Sequence, residues 1–158
     1  MNKTALFILL IFISICLHSQ SKKEVKQHKI KSSTVTNTEN GKTIFVSKTV
    51  FDSKGNETEK TDYNKEGGIK SIHKTKYNAE GDEIEDEEYD TNNKLVEKKI
   101  TKYNMLTEKT EEQFFDATGK LIKKHTYVYD SKGLKTERNT VDATGKIIAT
   151  KKHIYVTK

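Results

Sequence analysis

One octapeptide pattern constrains this chain more than anything else in it. Phe115-Asp116-Ala117-Thr118-Gly119-Lys120-Leu121-Ile122 reads aromatic, Asp, two spacers, Gly, then an apolar pair. Asp at the first and Gly at the fourth position of a tetrapeptide mark a type I turn. The Asp side chain bonds the backbone two residues on, and Gly takes the left-handed conformation at little steric cost. A type I turn closed by a left-handed Gly makes a hairpin with a bulge at that Gly. The geometry sets Phe115 across from Leu121, six residues later, so an aromatic packs on an aliphatic beside the turn.

The pattern repeats. Its aromatic position is filled by Phe51, Tyr63, Tyr77, Tyr89, Tyr103, Phe115, Tyr129, Val141 and Tyr155, at steps alternating between 12 and 14 residues. Asp or Asn follows in the first eight cases, and glycine falls four residues after the aromatic at Gly55, Gly67, Gly81, Gly119, Gly133 and Gly145. Asn93 and Thr107 replace it in the middle units. Asn tolerates the left-handed region, but Thr is β-branched and disfavours it, so the turn from Tyr103 to Thr107 is the weakest match. One step back, Gly41 falls in frame with Asn37 in the aromatic position. A fixed period marks a repeat architecture, and the unit is 26 residues, one short strand and one long.

These turns predict an all-β fold over residues 37–158: an antiparallel meander of about nine strands, forming a single curved or partly wrapped sheet. The chain has no proline, so every residue can donate to a ladder. Carrying the six-residue register inward predicts Lys74 opposite Asp86, Asp86 opposite Lys98, Glu112 opposite Lys124 and Glu137 opposite Lys151. Glu87 opposite Glu97 and Lys48 opposite Lys60 are its like-charge clashes. Turns in a meander alternate ends. One end of the sheet then gathers the apolar pairs Tyr63 with Ile69, Tyr89 with Leu95, Phe115 with Leu121 and Val141 with Ile147. The other gathers Phe51, Tyr77, Tyr103 and Tyr129, mixed with charge.

Residues 1–21 read as a signal peptide. Lys3 gives the positive start, Ala5 to Cys16 is an apolar run too short to span a membrane, and small or polar residues follow. This predicts an exported protein, periplasmic, at the cell surface or secreted, with no transmembrane span once the signal is removed. A lipoprotein alternative rests on Cys16, although Ile15 before it is bulkier than the small residue a lipobox carries. Cys16 is the only cysteine, so ordinary cleavage leaves no thiol chemistry. Lys3 is the only charge lost, and the net charge falls from +6 to +5. Residues 22–36 lack the motif and read as a polar, basic tether.

Candidate chemistry is sparse. The acidic run Glu80 to Glu88 lacks calcium-loop spacing, and on a strand its carboxylates alternate between faces, so it reads as a solvated, salt-bridged strand. His73 and His125 hold the same repeat position but lie four strands apart, roughly 19 Å, too far for one metal. There is no nucleophile elbow and no glycine-rich phosphate loop. Lysine doublets such as Lys98-Lys99 split between faces, which argues against nucleic acid as a partner. No cofactor, metal site or catalytic residue is expected, and the chain reads as a non-enzyme. Tyr77, Tyr103, Tyr129 and Tyr155 recur on every second strand, about 10 Å apart on one face. A ladder of this kind can stack on sugar rings, or it can cover charged stems and guard the turns.

The units Tyr129-Asp130-Ser131-Lys132-Gly133-Leu134, Phe115-Asp116-Ala117-Thr118-Gly119-Lys120-Leu121 and Tyr89-Asp90-Thr91-Asn92-Asn93-Lys94-Leu95 resemble the YD repeats of RHS-type proteins. The resemblance covers residues 51–158. It implies β-hairpins, carbohydrate binding and cell-surface contact. This chain departs from the family in its alternating period, in Lys where the family has Arg, and in its short length. Together these features predict an envelope or secreted binding module for a polysaccharide or a surface protein. The alternative is a structural element that completes a larger β-assembly through its edge strands, by itself or with a partner.

Overall fold

The computed structural model describes residues 21–156; the expected signal peptide and Cys16 lie outside the described residues. A short helix, α1 (Lys22–Gln27), precedes ten strands. These are β1 (Ser32–Glu39), β2 (Lys42–Phe51), β3 (Glu57–Tyr63), β4 (Ile69–Tyr77), β5 (Glu83–Tyr89), β6 (Leu95–Tyr103), β7 (Lys109–Asp116), β8 (Leu121–Tyr129), β9 (Lys135–Asp142) and β10 (Ile147–Lys152). They form one open antiparallel meander in strict chain order, with β1 and β10 at its edges.

Each of the eight repeat turns forms the expected hairpin. At the first, Gly55 N donates to Asp52 O and Asp52 N to Asn56 O. The Asp52 carboxylate accepts from the amides of Lys54 and Asn56. Asp116 and Asp142 repeat this bonding on Thr118 with Lys120 and on Thr144 with Lys146. The fourth turn position is left-handed throughout, including Asn93 at φ 57° and Thr107 at φ 60°. Thr107 therefore adopts the conformation its branched side chain disfavours, and the turn closes regardless, with Thr107 N on Asn104 O.

Aromatic and partner pair six residues apart at all eight turns, as in Tyr77 with Glu83 and Phe115 with Leu121. The interior register differs from the expected one. Immediately inside each turn pair a bulge inserts one residue in the outgoing strand, such as Ile84 between Tyr77–Glu83 and Lys76–Glu85. Lys74 therefore faces Glu87 rather than Asp86, Asp86 faces Lys99, Glu112 faces His125 and Glu137 faces Lys152. The expected clashes shift too: Glu97 faces Glu88, and Lys48 faces Thr61. Where the extra residue is Thr, its hydroxyl reclaims a ladder carbonyl, Thr58 on Val50, Thr110 on Lys102 and Thr136 on Val128.

The segment expected to be a tether is structured. Ser21 caps α1 by a reciprocal capping box with Glu24. The helix docks on the β2–β3 turn, where the backbone of Lys22 leaves room only for Gly55. The sheet begins at Ser32, so it has ten strands rather than nine. The β1–β2 connection is a tight two-residue turn, Asn40-Gly41, both with positive φ, and Glu39 pairs with Lys42. The in-frame repeat turn expected from Asn37 does not form.

A single layer has two faces and almost no interior. Among the described residues only Val25 (1% exposed) and Val141 (6%) are buried apolar side chains. Cohesion comes instead from the ladder, from cross-strand ion pairs and from long side-chain stems lying along the sheet. Lys98 bridges Glu85 and Glu87, and Glu111 takes Lys102 and Lys124. Lys74 lies over the Tyr89 ring at 4.9 Å and Lys123 over Phe114 at 4.8 Å.

Candidate functional site

The ends of β2, β4, β6 and β8 bring four turns to one end of the sheet. Here Tyr77, Tyr103, Tyr129 and Tyr155 do the same thing at each step. Each donates its hydroxyl to a backbone carbonyl 20 residues earlier, at Glu57, Glu83, Lys109 and Lys135, over 2.8, 2.9, 2.9 and 2.7 Å. Those carbonyls belong to the residue immediately before the bulge insertion, at the base of the preceding turn. A tyrosine thus holds its own turn through its backbone and the previous turn through its hydroxyl. Burial, and then the Glu83 carboxylate, push the Tyr77 hydroxyl up to about 12. Tyr103 and Tyr129 shift upward as well, with burial the leading cause.

With the hydroxyls committed, the rings of Tyr77 and Tyr103 line grooves between successive turns. The groove between the β2–β3 and β4–β5 turns, about 410 Å³, is lined by Asp52, Asn56, Thr58, Thr75, Tyr77 and Asn78. The next, about 340 Å³, is lined by Asn78, Asp82, Ile84, Thr101, Tyr103 and Asn104. Each residue of the second set stands 26 positions after its counterpart in the first, so the two grooves are successive copies of one site. Their walls are turn carboxylates and amides, their floors a tyrosine ring and a threonine. Lys54 crosses the first groove to the Ala79 carbonyl at 3.1 Å.

The two copies differ on the floor. In the first, Thr75 faces Asp86 across the ladder and donates to its carboxylate at 3.3 Å. In the second, Thr101 faces Glu112, the counterpart of Asp86. Glu112 is claimed elsewhere: it accepts from Tyr127 and, at 2.6 Å, from Lys109. Burial alone raises its carboxyl, but the bonds from Lys109 and Tyr127 outweigh that and hold it below the usual carboxylate range. Thr101, only 4% exposed, is left with a buried hydroxyl that has no partner. The adjoining turn is also unlike the others. Met105 (100% exposed) and Leu106 occupy a tip that is polar or small elsewhere, beside the left-handed Thr107.

The structure therefore brings the four tyrosines into one row and keeps the histidines apart. His73 lies 3.7 Å from Asp86 on β4–β5, and His125 packs edge-on against Phe114 and shares a hydrogen bond with Thr140 on β8–β9. The acidic run is distributed by strand alternation. Glu85 and Glu87 meet Lys98 on one face, and Asp86 meets Lys99 and His73 on the other. The sequence did not single out Thr101 and the turn residues Asn78, Asp82 and Asn104 as site residues. Their 26-residue spacing is the signal that could have grouped them, and the apolar Met105-Leu106 pair in a turn is a second signal.

No family model matches this chain, and no curated protein matches it. Among solved structures, a protein of unknown function from Bacteroides fragilis is similar with a TM-score of 0.44 and 15% identity, covering 80% of this chain and 96% of that one. TarM is similar at a TM-score of 0.32 and 15% identity, over 80% of this chain but only 22% of TarM. The GtfA/B complex bound to UDP and GlcNAc is similar at 0.30 and 12% identity, over 75% of this chain and 24% of that one. Likenesses of this size carry no argument about function.

Proposed function

We propose that this chain is an exported, non-enzymatic binding module that holds an extended polysaccharide along its tyrosine end. The observation that carries this reading is the pair of equivalent grooves, each with a tyrosine floor and amide and carboxylate walls. Sugar rings present apolar faces to aromatic rings and hydroxyls to turn amides and carboxylates. Successive grooves are two strands apart, roughly 10 Å, a spacing that suits a repeating polymer more than a single small molecule. Binding rather than catalysis is supported by the fate of the perturbed carboxylates. Glu85, Glu111 and Glu112 are held below their ordinary range chiefly by lysines, and Glu87 by Tyr89 and Lys98, which is a structural use of charge; Glu57, raised by burial, is the exception. The YD-like turns point the same way as a resemblance.

Calorimetric titration of the purified protein against a panel of envelope polysaccharides tests the reading. Binding that weakens at least tenfold in Tyr103→Ala and in Tyr77→Ala supports it. A panel that shows no binding at millimolar saccharide, or binding that ignores both substitutions, removes it.

A further inference from the structure

We infer that β10 of one molecule pairs with β1 of a second, continuing the meander head to tail. Among the described residues β10 pairs only with β9 and β1 only with β2, so each offers an outward row of free amide and carbonyl groups. Every residue of β10 is exposed, and Ile154 and Val156 beyond it are more than nine-tenths exposed. β1 carries neither Lys nor Pro, the residues that blunt natural edges, whereas β10 ends in Lys151-Lys152, so the lysine-bearing edge needs a partner strand without lysine.

The repeat identifies the occupant as a copy of this chain. Short and long strands alternate, and β10 stands at a long-strand position of the frame although its ladder ends at Lys152. Adding 26 to Leu121–Tyr129 reaches residues 147–155, and Tyr155 makes the tyrosine bond to Lys135 in phase. The strand that follows a long one is short. Subtracting 26 from Glu57–Tyr63 reaches residues 31–37, and β1 spans Ser32–Glu39. β1 is therefore a short-type strand standing free at one edge while a long-type strand stands free at the other.

The β8–β9 register, advanced by one unit and wrapped over five, specifies the pairs. Tyr127 with Arg138 becomes His153 with Thr34 of the second copy. Thr126 with Asn139 becomes Lys152 with Val35, and His125 with Thr140 becomes Lys151 with Thr36. No like charges meet. Pairing β10 with another β10 instead crowds two Lys151-Lys152 doublets onto one short ribbon. Because the two edges differ, the contact is heterologous and grows as an open chain rather than closing at a dimer.

Cross-linking tests the pairing. Val35→Cys and Lys152→Cys are introduced separately and together in a Cys16→Ser background and treated with a short bis-maleimide. Mixed single variants should give a cross-linked dimer, the double variant a ladder of multimers, and Lys152→Cys alone no product. Sedimentation velocity of the unmodified protein should show an average mass that rises with concentration. Val35→Lys, which sets a lysine opposite Lys152, should lower that mass at least twofold at equal concentration. Dimers from Lys152→Cys alone, or a concentration-independent monomer with no cross-link in any mixture, overturns the proposal.

Discussion

Tyr103 and Glu83 stand 20 residues apart, and the hydroxyl of the first donates to the carbonyl of the second at 2.9 Å. The same relationship holds at each long strand from β4 onward. It explains why a tyrosine, rather than any aromatic, recurs at this end. The bulge at each hairpin base displaces the ladder, and the phenol supplies a donor to a carbonyl there.

Replacing Tyr103 with Phe keeps the ring and removes only that donor. The expected loss is about 1 kcal/mol, the usual net value of one hydrogen bond. Urea denaturation should show a lower midpoint with an unchanged slope. An unchanged midpoint means the bond adds nothing to stability. Tyr103→Ala should cost clearly more, because the ring covers the groove floor.

Gly55 and Gly119 separate backbone strain from helix docking. Both have positive φ, so alanine at either costs about 1–2 kcal/mol. At Gly119 a Cβ meets nothing within 4 Å, whereas at Gly55 it meets Lys22 O at 2.6 Å. Gly55→Ala should therefore also release α1, and limited trypsin digestion should cut at Lys22, Lys23 or Lys26 far sooner than in Gly119→Ala. Equal digestion of the two would show that α1 does not rest on this turn.

Thr107 is a site where the native residue opposes its own backbone. Glycine there removes the left-handed penalty at the expense of chain entropy, and the balance favours Thr107→Gly by about 1 kcal/mol. Its hydroxyl bonds only the adjacent Leu106 carbonyl, so little is lost with it. A thermal midpoint that falls in this variant contradicts the argument.

Acid should loosen the sheet through its paired carboxylates. Lys76 and Lys98 hold Glu85 below its ordinary value, and Lys102 does the same for Glu111. At Glu112 the bonds from Lys109 and Tyr127 win over burial. A carboxylate whose folded pKa lies below its unfolded value, about 4.3, stabilises the fold above that pH. The stabilisation is lost as pH falls through the folded value. Denaturation midpoints should therefore fall a little between pH 7 and about pH 5, where burial and then Arg138 resist protonation of His125, and drop steeply below about pH 4. Glu112→Gln, already without its charge, should be less stable at pH 7 and show a shallower drop. A midpoint that stays level down to pH 3 rules the ion pairs out as contributors.

How much of this was legible in the sequence follows from what each signal depends on. The turns are local, and Asp or Asn with a residue able to go left-handed encodes each one, so their frame and the six-residue pairing read directly. The bulge does not. Runs such as Glu85 to Glu88 facing Lys98-Lys99 satisfy charge pairing in either of two registers one residue apart, so charge could not choose between them. β1 is polar and turns through Asn40-Gly41 outside the repeat frame. α1 is six residues long, and its one signal, Ser21 followed three residues later by Glu24, was present in the sequence. The tyrosine row was legible as a pattern, but its use was not, because the pairing of each hydroxyl with a carbonyl 20 residues back depends on the bulge.

The thin interior gives the sheet an unusual mechanical character. Among the described residues no element packs across its faces, so each hairpin there is held by the neighbours on either side. A pull between the first and last strands, across the ladder, loads the hydrogen bonds one after another rather than together. The sheet should then open as a zipper from an edge, releasing a hairpin pair at a time and on the order of 80 Å of chain per unit at about 3.4 Å per residue. Such a chain is an extensible strap that lengthens under modest load and rewinds turn by turn when the load is removed.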